Sequence, residues 1–188
     1  EYSWRDWGNQ ARWLGMGLRS LGLQRGDRVS IASEINREWM FADLGIIGAG
    51  GVTNGVYPTD AADQVEYLIN DSGSRFYFAE DEEQLDKVLE VRENTPCLEK
   101  VIIFDMDGLR ALDDAQCISY DELIELGKQY DLEHPEDWEQ SIEAAQPDDL
   151  MILTYTSGTT GRPKGAMISQ GNVMFQLEAV GDCLPTRA

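Results

Sequence analysis

Short apolar runs alternate with longer amphipathic ones along most of this chain, and that alternation restricts its fold more than any other feature. Trp7, Ala11, Leu14, Leu18 and Leu21 recur at helical spacing and share one face. Gly22 stops that helix, and Arg25-Gly26-Asp27 turns the chain into a short apolar strand, Val29-Ser30-Ile31-Ala32. Asn36 is placed to cap a second helix carrying Trp39, Met40, Leu44, Ile46 and Ile47, which glycines at 48–51 end. Residues 52–57 follow as a strand. Asp60 or Asp63 can cap the next helix, with Val65, Leu68 and Ile69 inward. Residues 75–79 and 101–104 read as further strands, with a helix over 82–91 between them. The 101–104 run is apolar throughout, as a strand covered on both faces should be. Strands and helices in this order predict an α/β fold, a mainly parallel sheet with flanking helices. The pattern is weaker from 105 to 149, where 118–130 and 138–145 read as helical and the dense Asp and Glu as a solvated face.

A chain of 188 residues has the length of one domain. It begins at Glu1 and stops soon after Pro185, inside a region that reads as structured, so a fragment is expected. No run approaches the roughly 18 apolar residues of a membrane span. No leader segment marks the chain for secretion, and a cytoplasmic location is expected, with peripheral membrane contact left open. Cys97, Cys117 and Cys183 are odd in number and far apart. They form neither a disulfide framework nor a metal pair, and are expected to be buried thiols. The lone histidine, His134, lies among Glu133, Pro135, Glu136 and Asp137 and reads as a surface residue. With no G-x-S-x-G elbow, a Ser-His-Asp hydrolase is excluded. The formal charge of −20 excludes a nucleic-acid backbone as partner. Against that charge, no acidic residue occurs between Asp149 and Glu178, a stretch that includes Arg162 and Lys164. Such a gap suits a polyanion.

The gap contains the segment with chemistry. After an apolar strand at 150–155 come Thr156-Ser157-Gly158-Thr159-Thr160-Gly161-Arg162-Pro163-Lys164-Gly165, then Ala166-Met167-Ile168 and a helix from near Gln170. Gly158, Gly161 and Gly165 free the backbone to aim successive N–H groups into one concavity. Ser157, Thr159 and Thr160 add hydroxyl donors, and Lys164 a mobile charge. An ordinary turn-rich loop would account for glycine and threonine in general. It does not account for four hydroxyl residues broken only by Gly158, followed by a lysine between Pro163 and Gly165. A Walker loop is excluded, because Arg162-Pro163 separates Gly161 from the lysine and Gly165 replaces the Ser or Thr. Gly15-Met16-Gly17 is no dinucleotide fingerprint, since Ser20 stands in the third glycine's place.

The run from Leu153 to Gly165 resembles the signature of the adenylate-forming, AMP-binding superfamily: acyl-CoA synthetases, luciferase and the adenylation domains of peptide synthetases. The resemblance continues upstream through Leu21-Gly22-Leu23, Gly26-Asp27-Arg28-Val29 and the helix from Trp39, and so covers essentially the whole chain. Residues 52–59, 63–73, 108–114 and 119–123 are most similar to the bacterial long-chain fatty acyl-CoA synthetases. The resemblance implies that residues 1–188 are an incomplete amino-terminal AMP-binding domain of the acyl-CoA synthetase/luciferase-like fold, with its phosphate loop at 154–165.

It further implies two half-reactions. A carboxylate attacks the α-phosphate of Mg-ATP to give acyl-adenylate and pyrophosphate, and coenzyme A then displaces AMP. Thr156, Ser157, Gly158, Thr159, Thr160, Gly161 and Lys164 match the family's ATP phosphate-binding positions, while Arg162 falls at a variable one. The family's Tyr-Gly-x-Thr-Glu segment (magnesium), Thr-Gly-Asp segment (ribose) and catalytic lysine have no counterpart here. The expected parent therefore uses ATP, Mg2+, a fatty acid and coenzyme A, and the chain alone is expected to be inactive. Adenylation of an amino or aryl acid, a free-standing nucleotide-binding module and an acidic scaffold remain as alternatives.

Overall fold

The computed structural model describes residues 2–156 and 161–183. Helix α1 (Trp4–Ser20) precedes strand β1 (Arg28–Ala32), α2 (Arg37–Gly48) precedes β2 (Val52–Val56), and α3 (Ala62–Ser72) precedes β3 (Ser74–Ala79). Next come α4 (Glu82–Val91), a single 3-10 turn (Arg92–Asn94), β4 (Lys100–Ile103) and β5 (Cys117–Ser119). The helices α5 (Tyr120–Glu133) and α6 (Asp137–Glu143) lead to β6 (Leu150–Thr156), β7 (Lys164–Ser169) and α7 (Gln170–Cys183).

Among the described residues, seven strands form one sheet in the order β5-β4-β3-β1-β2-β6-β7. Every neighbouring pair is parallel except β6–β7, which is antiparallel. This is the α/β architecture with flanking helices that the alternation predicts. Strand β3 shows why both faces need cover. Phe76 and Phe78 point to the side of α1, α2 and α5, whereas Tyr77 and Ala79 point to the side of α3 and α4, and all four are fully buried. Burying a phenylalanine contributes about 1.5–3 kcal/mol, so this one strand supplies large buried side chains to two cores.

Helix α1 lies across both α2 and α5. It meets α5 through Gly127, where an added Cβ would stand 1.7 Å from the Trp13 carbonyl oxygen. Facing it, a Cβ on Gly17 would stand 2.4 Å from the carbonyl oxygen of Leu123. Two bare backbones thus allow an approach that any side chain would block.

Helix starts follow local hydrogen bonding. Ser3 and Asp6 form a reciprocal capping box, so α1 begins one turn earlier than the apolar spacing suggests. Asn36 caps α2 as expected, accepting from the Trp39 N–H at 2.8 Å. Neither Asp60 nor Asp63 caps α3. Its cap residue is Ala61, whose N–H is satisfied by the Gln64 side chain, while the Asp60 carboxylate takes the Tyr57 N–H. Residues 118 and 119 belong to β5 rather than to a helix, because Ser119 and Glu122 make another capping box and start α5 at Tyr120.

His134 is exposed at the end of α5 with its ring against Tyr130. Cys97 and Cys117 are free thiols but only half-buried, short of the full burial expected. The Cys183 side chain lies outside the described residues. Among the described residues no helix is long and apolar enough to cross a membrane.

Candidate functional site

The strands on either side of the suspected phosphate loop, β6 and β7, pair with each other as a hairpin. β6 runs parallel to β2, with Thr53 opposite Ile152 and Asn54 opposite Leu153, so it ends at the carboxyl edge of the parallel strands. The chain then turns and returns antiparallel as β7. Thr156, Tyr155 and Thr154 lie opposite Lys164, Gly165 and Ala166. Next to the hairpin, β1 and β2 send their following helices to opposite faces, α2 to one and α3 to the other. A crevice at the carboxyl edge beside such a reversal is where open α/β sheets take ligands.

Of the residues expected to bind phosphate, Thr156 closes β6 and Lys164 opens β7, so Lys164 is a strand residue rather than a loop residue. Register places the two opposite each other, and both are exposed. None of the salt bridges among the described residues engages Lys164. Gly161 has φ +114, a conformation that side chains disfavour, which fits the backbone freedom read from the sequence. Ser157, Gly158, Thr159 and Thr160 lie outside the described residues.

Gly165 serves another purpose. It is in extended β7, and the Tyr155 ring packs over it, with ring atom Cζ 3.2 Å from where a Cβ would be. Any side chain there would displace Tyr155, whose hydroxyl donates to Asp71 Oδ2 at 2.7 Å. One helical turn before Asp71, the Tyr67 hydroxyl donates to the Pro163 carbonyl at 2.8 Å. The two phenol rings meet edge to face at 6.4 Å, and the Arg162 guanidinium sits 5.1 Å above the Tyr67 ring. Burial first, then the Asp71 carboxylate, holds both phenols above the usual tyrosine range, so they are hydrogen-bond donors at any physiological pH.

A cavity of about 760 Å³ opens between the hairpin and α3, lined by Thr156, Arg162, Tyr67 and Tyr155. Its far wall carries Asp60, Asp63 and Glu66. The acid-free stretch in the sequence therefore does not make an acid-free site, because α3 and the turn before it bring carboxylates from elsewhere in the chain. On the opposite face of β2 a second, more apolar cavity of about 380 Å³ is lined by Trp39, Asp43, Thr53, Val56, Ile152 and Thr154. Burial raises the Asp43 carboxyl above its ordinary range. The Thr53 hydroxyl favours its charged form, but neither Asp43 Oδ1 nor Thr53 Oγ1 completes a hydrogen bond of acceptable geometry. Among the described residues no group of three or more His, Cys, Asp or Glu is arranged to hold a metal ion.

Sequence reasoning found the strand at 150–155 and the loop after it, but not the return strand β7, and it missed Tyr67 and Asp71. The only local signal was their spacing of four on a helix, shared by countless surface pairs; the partners lie 96 and 84 residues away.

The family described as AMP-binding enzyme matches residues 1–187. A rat (Rattus norvegicus) protein named long-chain-fatty-acid–CoA ligase ACSBG1 is 35% identical over 166 residues, covering 88% of this chain and 22% of that protein. The long-chain-fatty-acid–CoA ligase FadD15 of Mycobacterium bovis is 36% identical over 178 residues, covering 95% of this chain and 28% of its own length. The chain thus spans about a quarter of the length of these relatives. Among solved structures, the anthranilate CoA ligase AuaEII in complex with anthranoyl-AMP superposes with a TM-score of 0.75 at 26% identity, covering 94% of this chain and 32% of that one.

Proposed function

Since this chain belongs to the AMP-binding enzyme family, we propose that it is the amino-terminal part of an enzyme that couples ATP cleavage to activation of a long-chain fatty acid. A fatty carboxylate attacks the α-phosphorus, the bond to the bridging oxygen breaks, and pyrophosphate leaves. The thiol of coenzyme A then attacks the acyl carbon of the adenylate and AMP departs. Residues 1–188 supply the phosphate-binding turn, and the remaining machinery lies in the rest of the parent.

The observation that carries this reading is the β6–β7 hairpin. Register sets Thr156 and Lys164 opposite each other on its two limbs, at the mouth of the glycine-and-hydroxyl turn. Ser157, Gly158, Thr159, Thr160 and Gly161 would then offer N–H and hydroxyl donors to the β- and γ-phosphates. Lys164 would offset the charge that gathers on departing pyrophosphate. Charge-assisted hydrogen bonds contribute about 1.5–3 kcal/mol each, so a handful suffices for a triphosphate. Positioning and charge neutralisation dominate such phosphoryl chemistry. Magnesium would arrive with ATP, and its protein ligand is expected elsewhere in the parent.

The fatty-acid assignment rests on two relatives at 35% and 36% identity that bear that name. The anthranilate CoA ligase, more distant at 26%, favours an aryl acid as the second reading. Carboxylate-dependent ATP–pyrophosphate exchange by the full-length enzyme separates them. Exchange with palmitate and none with anthranilate is expected; the reverse result would replace the substrate class and keep the turn.

A further inference from the structure

Helix α3 grips both limbs of the hairpin. Tyr67 and Asp71 are four residues apart and so share a face of that helix. Tyr67 Oη reaches the Pro163 carbonyl at 2.8 Å, on the limb whose next residue is Lys164. Asp71 Oδ2 receives the Tyr155 hydroxyl at 2.7 Å, on the limb whose next residue is Thr156. The hairpin's own backbone ladder joins those two limbs as far as Thr156 and Lys164.

We propose that Tyr67 and Asp71 are positioning residues for the phosphate-binding turn, holding it in the conformation that ATP and pyrophosphate require. This inference rests on the reading above. A turn built of glycine and small hydroxyl residues loses much freedom when it closes on a ligand, and holding its ends in advance lowers that cost. Two contacts strengthen the grip. The Arg162 guanidinium stacks on the ring of the same Tyr67 that holds Pro163, so one side chain fixes two consecutive residues of the turn. Gly165 leaves room for the Tyr155 ring to reach Asp71. On this proposal Tyr67 and Asp71 act through the turn rather than on the reacting atoms. Their effect falls on both phosphate ligands and spares the fatty acid.

The test uses the full-length enzyme and the exchange assay. Tyr67→Phe removes one hydroxyl and keeps the ring under Arg162. KM for ATP and for pyrophosphate should each rise about fivefold, the loss of one ordinary hydrogen bond, with KM for the fatty acid and the unfolding midpoint unchanged. Asp71→Leu should act in the same sense, and Asp71→Asn, which keeps an acceptor for Tyr155, should recover most of the loss. Unchanged KM for ATP in both Tyr67→Phe and Asp71→Leu overturns the proposal. So does an equal rise in the KM of every substrate, which would mark a merely structural role. If the wild-type enzyme exchanges with no carboxylate, the functional reading fails instead. Calorimetric titration with ATP then decides the grip alone: fivefold weaker binding by Tyr67→Phe sustains it, and equal binding refutes it.

Discussion

Replacing Gly127 with alanine tests whether the contact between α1 and α5 is as close as the backbone indicates. The new methyl would lie 1.7 Å from the Trp13 carbonyl oxygen, 2.6 Å from its carbon and 2.8 Å from the Gly17 nitrogen. All three are backbone atoms, so no rotamer change can relieve the clash and the helices must part by more than an ångström. That separation loosens Leu14, Leu18, Leu123 and Ile124, which pack in one core. Overpacking costs about 1–3 kcal/mol, and a helix gap that cannot close belongs at or above the top of that range. Alanine returns about 1 kcal/mol of helix propensity. The net loss is about 2 kcal/mol, or roughly 4–8 °C in Tm for a chain of this size. Gly8→Ala in α1, where a Cβ meets nothing within 4 Å, serves as control and should leave Tm unchanged or raise it. Thermal unfolding followed by circular dichroism reads both. Equal stability of Gly127→Ala and wild type would refute the packing argument, as would a matching loss in Gly8→Ala.

Two further outcomes follow from the structure. Burial raises the Asp43 carboxyl, so in the window between its unfolded and folded pKa the folded state binds the extra proton. Stability therefore falls as pH rises through that window. Asp43→Asn should be more stable than wild type at pH 7, the gain shrinking toward pH 4; urea titrations at both pH values measure it, and a gain independent of pH would contradict it. The isolated 188-residue chain should make no acyl-adenylate and bind ATP with a Kd of about 1 mM, roughly 4 kcal/mol; pyrophosphate exchange by this chain alone would contradict that.

Much of the architecture was legible because its signals are local. The fully apolar run from Val101 to Phe104 declared a strand covered on both faces, and Asn36 announced its helix through one side-chain bond. Signals of the same kind also misled. Asp60 and Asp63 are better capping residues than alanine, yet Ala61 takes the position because Gln64 reaches back to it. β5 is three residues long, too short to establish a period, and Ile118 fitted the helix that follows. At the site, the composition of 156–165 pointed toward phosphate chemistry, but not to Lys164 lying in a strand or Gly165 making way for a ring. Those facts follow from the pairing of β7 with β6 and from the Tyr155 contact with Asp71, which only folding brings together.

The claim on which the account turns is that this hairpin holds the phosphates of ATP. Fatty-acid-dependent ATP–pyrophosphate exchange by the full-length enzyme, wild type beside Lys164→Ala, tests it most directly. Loss of a charge-assisted contact worth about 1.5–3 kcal/mol predicts exchange reduced by roughly 10- to 150-fold at subsaturating ATP, in a variant that stays folded. Exchange at the wild-type rate would contradict the account and leave the hairpin without its proposed role.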